Sequence, residues 1–315
     1  MEHILGIVFP GQGAQFVGMG SELHTEFEAV RQVFSEVASV TGRNISGLCF
    51  EGPREELDMT VNTQIAVLTV GVAAFRVFTE HIALKPTVMA GHSLGEYAAL
   101  TTAGALSLSD TIRLVHARGT FMQEAVPPGQ GAMAALLGMG AADVDTLCRH
   151  LCAEGEIVEP ANYNGPDQVV ISGAVAGIER ALQEAKTQGA KRAIRLPISV
   201  PCHCRLLNSA AARLDVLLSS LPIGDCTPPV ISNYDPLRTH SRSTTRELLV
   251  HQLSAPVRWQ ETIETMVRRG VDIIVEIGPK KTLSGLIKRI APHIRLFNVE
   301  DPKSLDETAR GLQDA

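Results

Sequence analysis

The sequence predicts an α/β protein: a parallel sheet covered by helices on both faces, with a smaller domain inserted into it. Three observations predict this class. Short apolar runs that stop at glycine or proline alternate with longer stretches of helical spacing, as expected when strands are buried on both faces. A linker rich in proline and glycine, Pro127-Pro128-Gly129-Gln130-Gly131, marks a change of pattern in mid-chain. Aromatic residues make up only 4% of the chain, so Ala, Val, Leu and Ile must build the core.

The first element is a strand over 4–9, an apolar run ended by Pro10-Gly11. The Gly-rich stretch 10–20 reads as a tight loop, and a helix begins at Ser21 with Ser-x-x-His rather than a full capping box. Helical spacing returns over 61–80, and 87–90 reads as a second strand. It runs directly into Gly91-His92-Ser93-Leu94-Gly95 and an Ala-rich helix. Beyond the linker the pattern is strand 132–138, helix 141–153, strands 156–163 and 168–172 around an Asn-Gly-Pro-Asp turn, helix 175–188 and strand 193–199. That order, βαββαβ, is the ferredoxin-like arrangement. The expected division is a large domain of 1–127 and 200–315 and a small domain of 128–199. Segments 229–233 and 272–278 are read as further strands of the first sheet.

Composition narrows the function. The 315 residues carry 28 Lys+Arg against 34 Asp+Glu, a net charge of −6, which argues against general nucleic-acid binding. The N-terminus has no basic region before its apolar run, so no secretory signal is read there. The best membrane-span candidate, 61–75, is too short and contains Asn62, Thr63 and Gln64. A soluble, cytoplasmic protein with no membrane partner is expected. Six cysteines in a chain of this length do not form a disulfide framework. Cys202-His203-Cys204 has no second ligand pair to complete a tetrahedron, so no metal site is expected.

Gly91-His92-Ser93-Leu94-Gly95 carries the chemistry. A G-x-S-x-G turn between strand and helix lifts the serine hydroxyl out of the sheet, and its glycines leave room for the tight backbone. The helix N-terminus behind it aims N–H groups at an oxyanion. A serine nucleophile needs a base. His203 lies where the small domain rejoins the large one, the kind of junction at which a cleft forms. The alternative for His203 is a histidine capping a helix near a proline turn. The loop Gly11-Gln12-Gly13-Ala14-Gln15 lacks the last glycine of a dinucleotide fingerprint, because Phe16 stands there, and it lacks the Gly-Lys-Ser/Thr of a phosphate loop. Nucleotide binding is rejected. The loop is either a structural turn or a backbone that approaches substrate.

Five motifs occur in order: Gly11-Gln12-Gly13-Ala14-Gln15, Gly91-His92-Ser93-Leu94-Gly95-Glu96-Tyr97, Arg118-Gly119-x-x-Met122-Gln123, Ser199-Val200-Pro201-x-His203-Cys204 and Gln252-Leu253-x-x-Pro256-Val257-x-Trp259. Together they resemble the malonyl-CoA:acyl-carrier-protein transacylases of fatty-acid synthesis and the acyltransferases of polyketide synthases, over residues 4–299. The resemblance implies an α/β-hydrolase-like core with a ferredoxin-like insert, Ser93 as nucleophile and His203 as base. It implies an oxyanion hole from the N–H groups of Gln12 and Leu94, and Arg118 as the ligand of the malonyl carboxylate. Gln252 would orient His203, chiefly through its main-chain carbonyl, while Asn162, His92 and Gln64 would line the cleft. Cys202 stands where many relatives have Ser.

Malonyl-CoA is the implied substrate, phosphopantetheinylated acyl carrier protein the partner, no bound cofactor is implied, and the family suggests a monomer. Because the carrier is usually acidic, candidate docking cations are Lys191, Arg192 and Arg195 on the small domain and Lys280, Lys281, Lys288 and Arg289 near the C-terminus. The competing readings are a trans-acting polyketide acyltransferase, the transacylase subunit of a malonate decarboxylase, a serine thioesterase or other hydrolase, and a non-catalytic carrier-binding subunit.

Overall fold

The computed structural model describes residues 3–198 and 200–313. Its first sheet has four parallel strands in the order β2-β1-β7-β8: β1 Leu5–Phe9, β2 Val88–Gly91, β7 Ile273–Ile277 and β8 Arg295–Val299. Every residue of β1, β2 and β7 is buried, as a sheet covered on both faces requires. Side chains alternate along each strand. Leu5, Ile7, Phe9, Met89, Ile273 and Val275 enter one core with the helices Glu28–Thr41, Thr60–His81 and Leu108–Ala125. Val8, Val88, Ala90 and Ile274 enter the other with Trp259, Ile263, Met266, Leu283 and Ile287.

Inserted between β2 and β7 is a four-stranded antiparallel sheet, β3 Gly131–Leu137, β4 Val158–Gly165, β5 Gln168–Ala174 and β6 Arg192–Arg195, in the order β4-β5-β3-β6. One of its faces is covered by the helices Ala141–Ala153 and Val175–Thr187. The other turns Met133, Ala161 and Val170 toward the main core. The small sheet is tied to the rest of the fold where Tyr163 N–H donates to the Val257 carbonyl at 2.9 Å and Val257 N–H to that of Ala161 at 2.8 Å, in the segment before the helix Trp259–Arg268.

Three expectations need correction. Residues 229–233 do not form a full strand: Val230 makes a single parallel bridge to Met89. The chain leaves the ladder because Asn233 N–H is spent on the Glu96 carboxylate, at 3.0 Å. The membrane-span argument from length fails, since the helix runs over Thr60–His81, 22 residues, long and apolar enough to cross a bilayer. Its apolar surface is consumed by neighbouring helices instead, and even Asn62, Thr63 and Gln64 are buried against protein. The sequence reading passed over β8. The last strand of the small sheet is shorter than expected, ending at Arg195 before Pro197. Ser199, the end of that expected strand, lies outside the described residues.

Candidate active site

The site lies over the carboxyl ends of β1 and β2, where ligands of open parallel sheets bind. Between β2 and the helix Leu94–Thr102 the chain turns over two residues, His92 and Ser93, and Ser93 takes φ 51°, ψ −105°. A non-glycine residue there holds about 1–3 kcal/mol of strain, so neighbours must hold it. Asn233 Oδ1 accepts from Ser93 N–H at 2.6 Å, and Gln252 Nε2 donates to the Ser93 carbonyl at 2.8 Å. The flanking glycines are dictated by contact. A Cβ on Gly91 would lie 1.9 Å from the Gly95 carbonyl carbon, and one on Gly95 would lie 2.1 Å from the Phe9 oxygen. The Gly11 loop rests on this elbow in the same way, with its would-be Cβ 2.3 Å from the His92 oxygen.

Ser93 Oγ lies 2.8 Å from His203 Nε2. His203 Nδ1 lies 2.7 Å from the main-chain carbonyl of Gln252. A carbonyl can only accept, so the proton of the neutral ring is on Nδ1 and the Nε2 lone pair faces the serine hydroxyl. His203 is 3% exposed. Burial, and then the nearby Arg118 charge, press its pKa down to about 3, against the opposing pull of the Gln252 carbonyl. The ring is therefore neutral, able to take a proton, across the physiological range. Of the neighbouring thiols, Cys202 donates to the Val200 carbonyl and Cys204 to that of Pro201.

Arg118 comes from the middle of the helix Leu108–Ala125 and is 1% exposed. Its Nη1 donates to Gln64 Oε1 at 2.9 Å, and its Nη2 to Gln252 Oε1 and to Ser93 Oγ, both at 3.3 Å. Nε has no partner, and among the described residues no carboxylate pairs with this guanidinium. A buried guanidinium with no carboxylate partner among the described residues has the charge and the donors to bind an anion.

Around these groups is a cleft lined by Gln12, Gln64, His92, Leu94, Asn162 and Cys202 among others. It opens into an outer, mostly apolar cleft between the two sheets. Among the described residues the backbone N–H groups of Gln12 and Leu94 have no acceptor. Both residues line the cleft that holds Ser93, and free N–H donors there are the kind of group that charge developing on an attacked carbonyl oxygen needs. The His92 Nε2 lies 2.8 Å from Asn164 Oδ1 and its ring packs edge-on against Trp259.

The candidate docking cations fall into two groups. Lys191 and Arg192 stand at the β6 edge of the small sheet, while Lys288 and Arg289 lie on the helix Thr282–Ile290, which packs against β4 at the opposite edge. Arg195 pairs with Glu179 and Arg289 with Asp167. Lys280 Nζ donates to the Gly13 carbonyl beside the cleft, at 3.4 Å.

Sequence reasoning missed four polar residues of this site: Asn233, Asn164, Glu96 and His240. Glu96 stood inside the quoted Gly91–Tyr97 motif and was given no role. Asn233 and His240 carry no spacing signal, because only the fold brings Asn233 to Ser93 and His240 to Glu96.

Residues 7–294 match the acyl transferase domain family. A malonyl CoA-acyl carrier protein transacylase of Escherichia coli O157:H7 is 44% identical over 298 residues, 95% of this chain and 96% of that one. A solved structure of the malonyl CoA-acyl carrier protein transacylase from Coxiella burnetii superposes with a TM-score of 0.96 at 42% identity, covering 98% of both chains. A type II PKS acyl-carrier protein in complex with its malonyl-transacylase matches with a TM-score of 0.95 at 44% identity, covering 98% of this chain and 99% of that one. Near-complete coverage at this identity is decisive: the chain belongs to the acyl transferase domain family and, within it, to the malonyl CoA-acyl carrier protein transacylases.

Proposed function

We propose that this enzyme moves a malonyl group from CoA to the phosphopantetheine thiol of an acyl carrier protein, by way of a malonyl ester on Ser93. His203 Nε2 takes the hydroxyl proton as Ser93 Oγ attacks the thioester carbonyl. The oxyanion forms against the Gln12 and Leu94 N–H groups, where losing one donor costs about 10²–10³ in rate. The C–S bond breaks, and CoA leaves as a thiol with the proton from His203. The carrier thiol then enters, gives its proton to His203 and attacks the ester. Serine recovers its hydrogen as the new thioester departs, the ping-pong course of covalent catalysis. One thioester replaces another, so the net free energy change is near zero.

Arg118 holds the malonyl carboxylate through two parallel hydrogen bonds. Acetyl-CoA offers no carboxylate and leaves the fork unpaired. Gln252 orients His203, while Asn162, His92 and Gln64 shape the cleft. We read the large domain as α/β-hydrolase-like, made of 1–127 and 200–315, and the insert, 128–199, as ferredoxin-like, with the active site between them. Malonyl-CoA is substrate and no bound cofactor is called for. The carrier docks against Lys191 and Arg192 on one side and Lys288 and Arg289 on the other, with the enzyme as a monomer.

The observation that carries the proposal is the Ser93–His203 contact of 2.8 Å beside a buried guanidinium that has no carboxylate partner among the described residues. Steady-state rates with malonyl-CoA varied at several fixed concentrations of carrier protein test it. Parallel double-reciprocal lines are expected, and lines that intersect would rule out the acyl-enzyme course. The match to a transacylase held by a polyketide carrier favours one second reading, a polyketide carrier as acceptor. A panel of fatty-acid and polyketide carriers in the same assay separates the two.

A further inference from the structure

Beneath the elbow lies a buried polar network that the transfer chemistry does not use directly. Glu96, two residues into the helix Leu94–Thr102, is 0% exposed. Its Oε1 lies 2.5 Å from His240 Nε2, a ring 4% exposed whose Nδ1 faces Thr245 Oγ1 at 3.3 Å. Its Oε2 accepts from the Asn233 backbone N–H at 3.0 Å and from Gln252 Nε2 at 3.1 Å. These are the two amide residues that grip the strained serine. Asn233 Oδ1 takes the Ser93 N–H and Asn233 Nδ2 donates to the Gly91 carbonyl at 2.7 Å. Gln252 Nε2 bridges Glu96 and the Ser93 carbonyl.

The bond to Glu96 also settles which end of the Gln252 side chain is which. Only Nε2 can donate to a carboxylate, so Oε1 must face the other way, toward Arg118 Nη2. One carboxylate therefore fixes both peptide bonds of Ser93 and one acceptor of the arginine fork. His240 fixes the carboxylate in turn.

We propose that Glu96 and His240 are positioning residues: the Glu96 carboxylate, steadied by His240, holds Asn233 and Gln252 in the orientations that keep Ser93 in its strained, reactive conformation. The idea rests on Ser93 being the nucleophile, and the test separates the two claims. The probe is a fluorophosphonate, a serine reagent that carries no carboxylate and needs neither CoA nor Arg118. Its rate of reaction with Ser93 in the intact enzyme reads the placement and activation of the serine without the carboxylate clamp, alongside the malonyl-CoA acylation burst and KM.

Glu96→Ala is expected to slow fluorophosphonate labelling and the malonyl burst by the same factor, about 10²-fold, with KM for malonyl-CoA changed less than threefold. Glu96→Gln keeps shape and an acceptor for both amides, and His240 can turn its Nε2 lone pair to the new amide while Nδ1–H faces Thr245. It is expected to recover labelling to within tenfold of wild type. Should Glu96→Ala not fold, His240→Leu, which removes only the group steadying the carboxylate, is expected to slow labelling at least tenfold with malonyl-CoA KM again preserved. Labelling at the wild-type rate in whichever of Glu96→Ala or His240→Leu folds overturns the positioning role. So does a Glu96→Gln variant as slow as Glu96→Ala. A wild-type enzyme whose label does not map to Ser93 removes the nucleophile itself, and the positioning role with it.

Discussion

Replacing Arg118 by alanine separates selectivity from the rest of the machinery. The guanidinium is 1% exposed and has amide and hydroxyl partners but no carboxylate. A bound malonyl carboxylate would gain two charge-assisted hydrogen bonds, each worth about 1.5–3 kcal/mol. Water entering the vacated space recovers part of this, leaving a loss of about 3–4 kcal/mol. At about 1.4 kcal/mol per factor of ten, kcat/KM for malonyl-CoA should fall roughly 10²–10³-fold. Acetyl-CoA makes no such bonds, so its transfer or hydrolysis should hold steady or rise. The assay is the ratio of the two kcat/KM values, followed by CoA thiol release, with a melting curve to show that the variant folds. Gln64 Oε1 and Gln252 Oε1 lose donors in the variant, so a modest drop in Tm is expected, about 1–3 kcal/mol in stability. An unchanged malonyl-to-acetyl ratio in a folded Arg118→Ala enzyme refutes the carboxylate clamp.

Further expectations concern the elbow and its base. Gly95→Ala places a methyl 2.1 Å from the Phe9 carbonyl oxygen, so backbone must shift. We expect a loss of about 3 kcal/mol or more and no measurable Ser93 acylation, whereas Gly285→Ala, with open space around its Cβ, should retain both. A normal Tm for Gly95→Ala would show that the close crossing is not needed. His203, with its pKa pressed from 6.5 to about 3, binds a proton more readily in the unfolded chain than in the folded one. Stability from this residue is thus complete above pH 6.5 and declines as pH falls toward 3. His203→Gln should flatten part of that acid decline in urea titrations, and an identical pH dependence in the variant would contradict the assigned shift. Arg118→Ala also removes the second cause of the shift, so the acid limb of kcat/KM for acetyl-CoA should move to higher pH. No movement of the limb would mean that Arg118 does not act on the base.

Much of this architecture was legible because strong local signals agreed with the fold. The apolar run at β1 and the glycines at 91 and 95 each answer a local demand, burial on two faces or a backbone crossing too close for a Cβ. The βαββαβ order of the insert was readable from alternating periods. What escaped depended on tertiary partners. β8 carries Arg295 and Asn298 among its five residues and lies at the sheet edge, so its burial signal is weaker than that of the wholly apolar β1. Residues 229–233 look like a strand, but Asn233 is recruited to Glu96, an acceptor 137 positions away. Arg118 was placed by resemblance, since an arginine on a helix carries no sign of whether it is buried. Asn233 reaches the serine, and His240 reaches Glu96, only through contacts spanning about half the chain, and no spacing rule encodes that.

The most direct measurement is the intact mass of the enzyme after brief mixing with malonyl-CoA. One malonyl group should appear on the protein, map to the peptide carrying Ser93, vanish on adding phosphopantetheinylated carrier protein, and be absent from Ser93→Ala. A malonyl adduct that persists in Ser93→Ala, or turnover with no adduct at any time point, would contradict the covalent course.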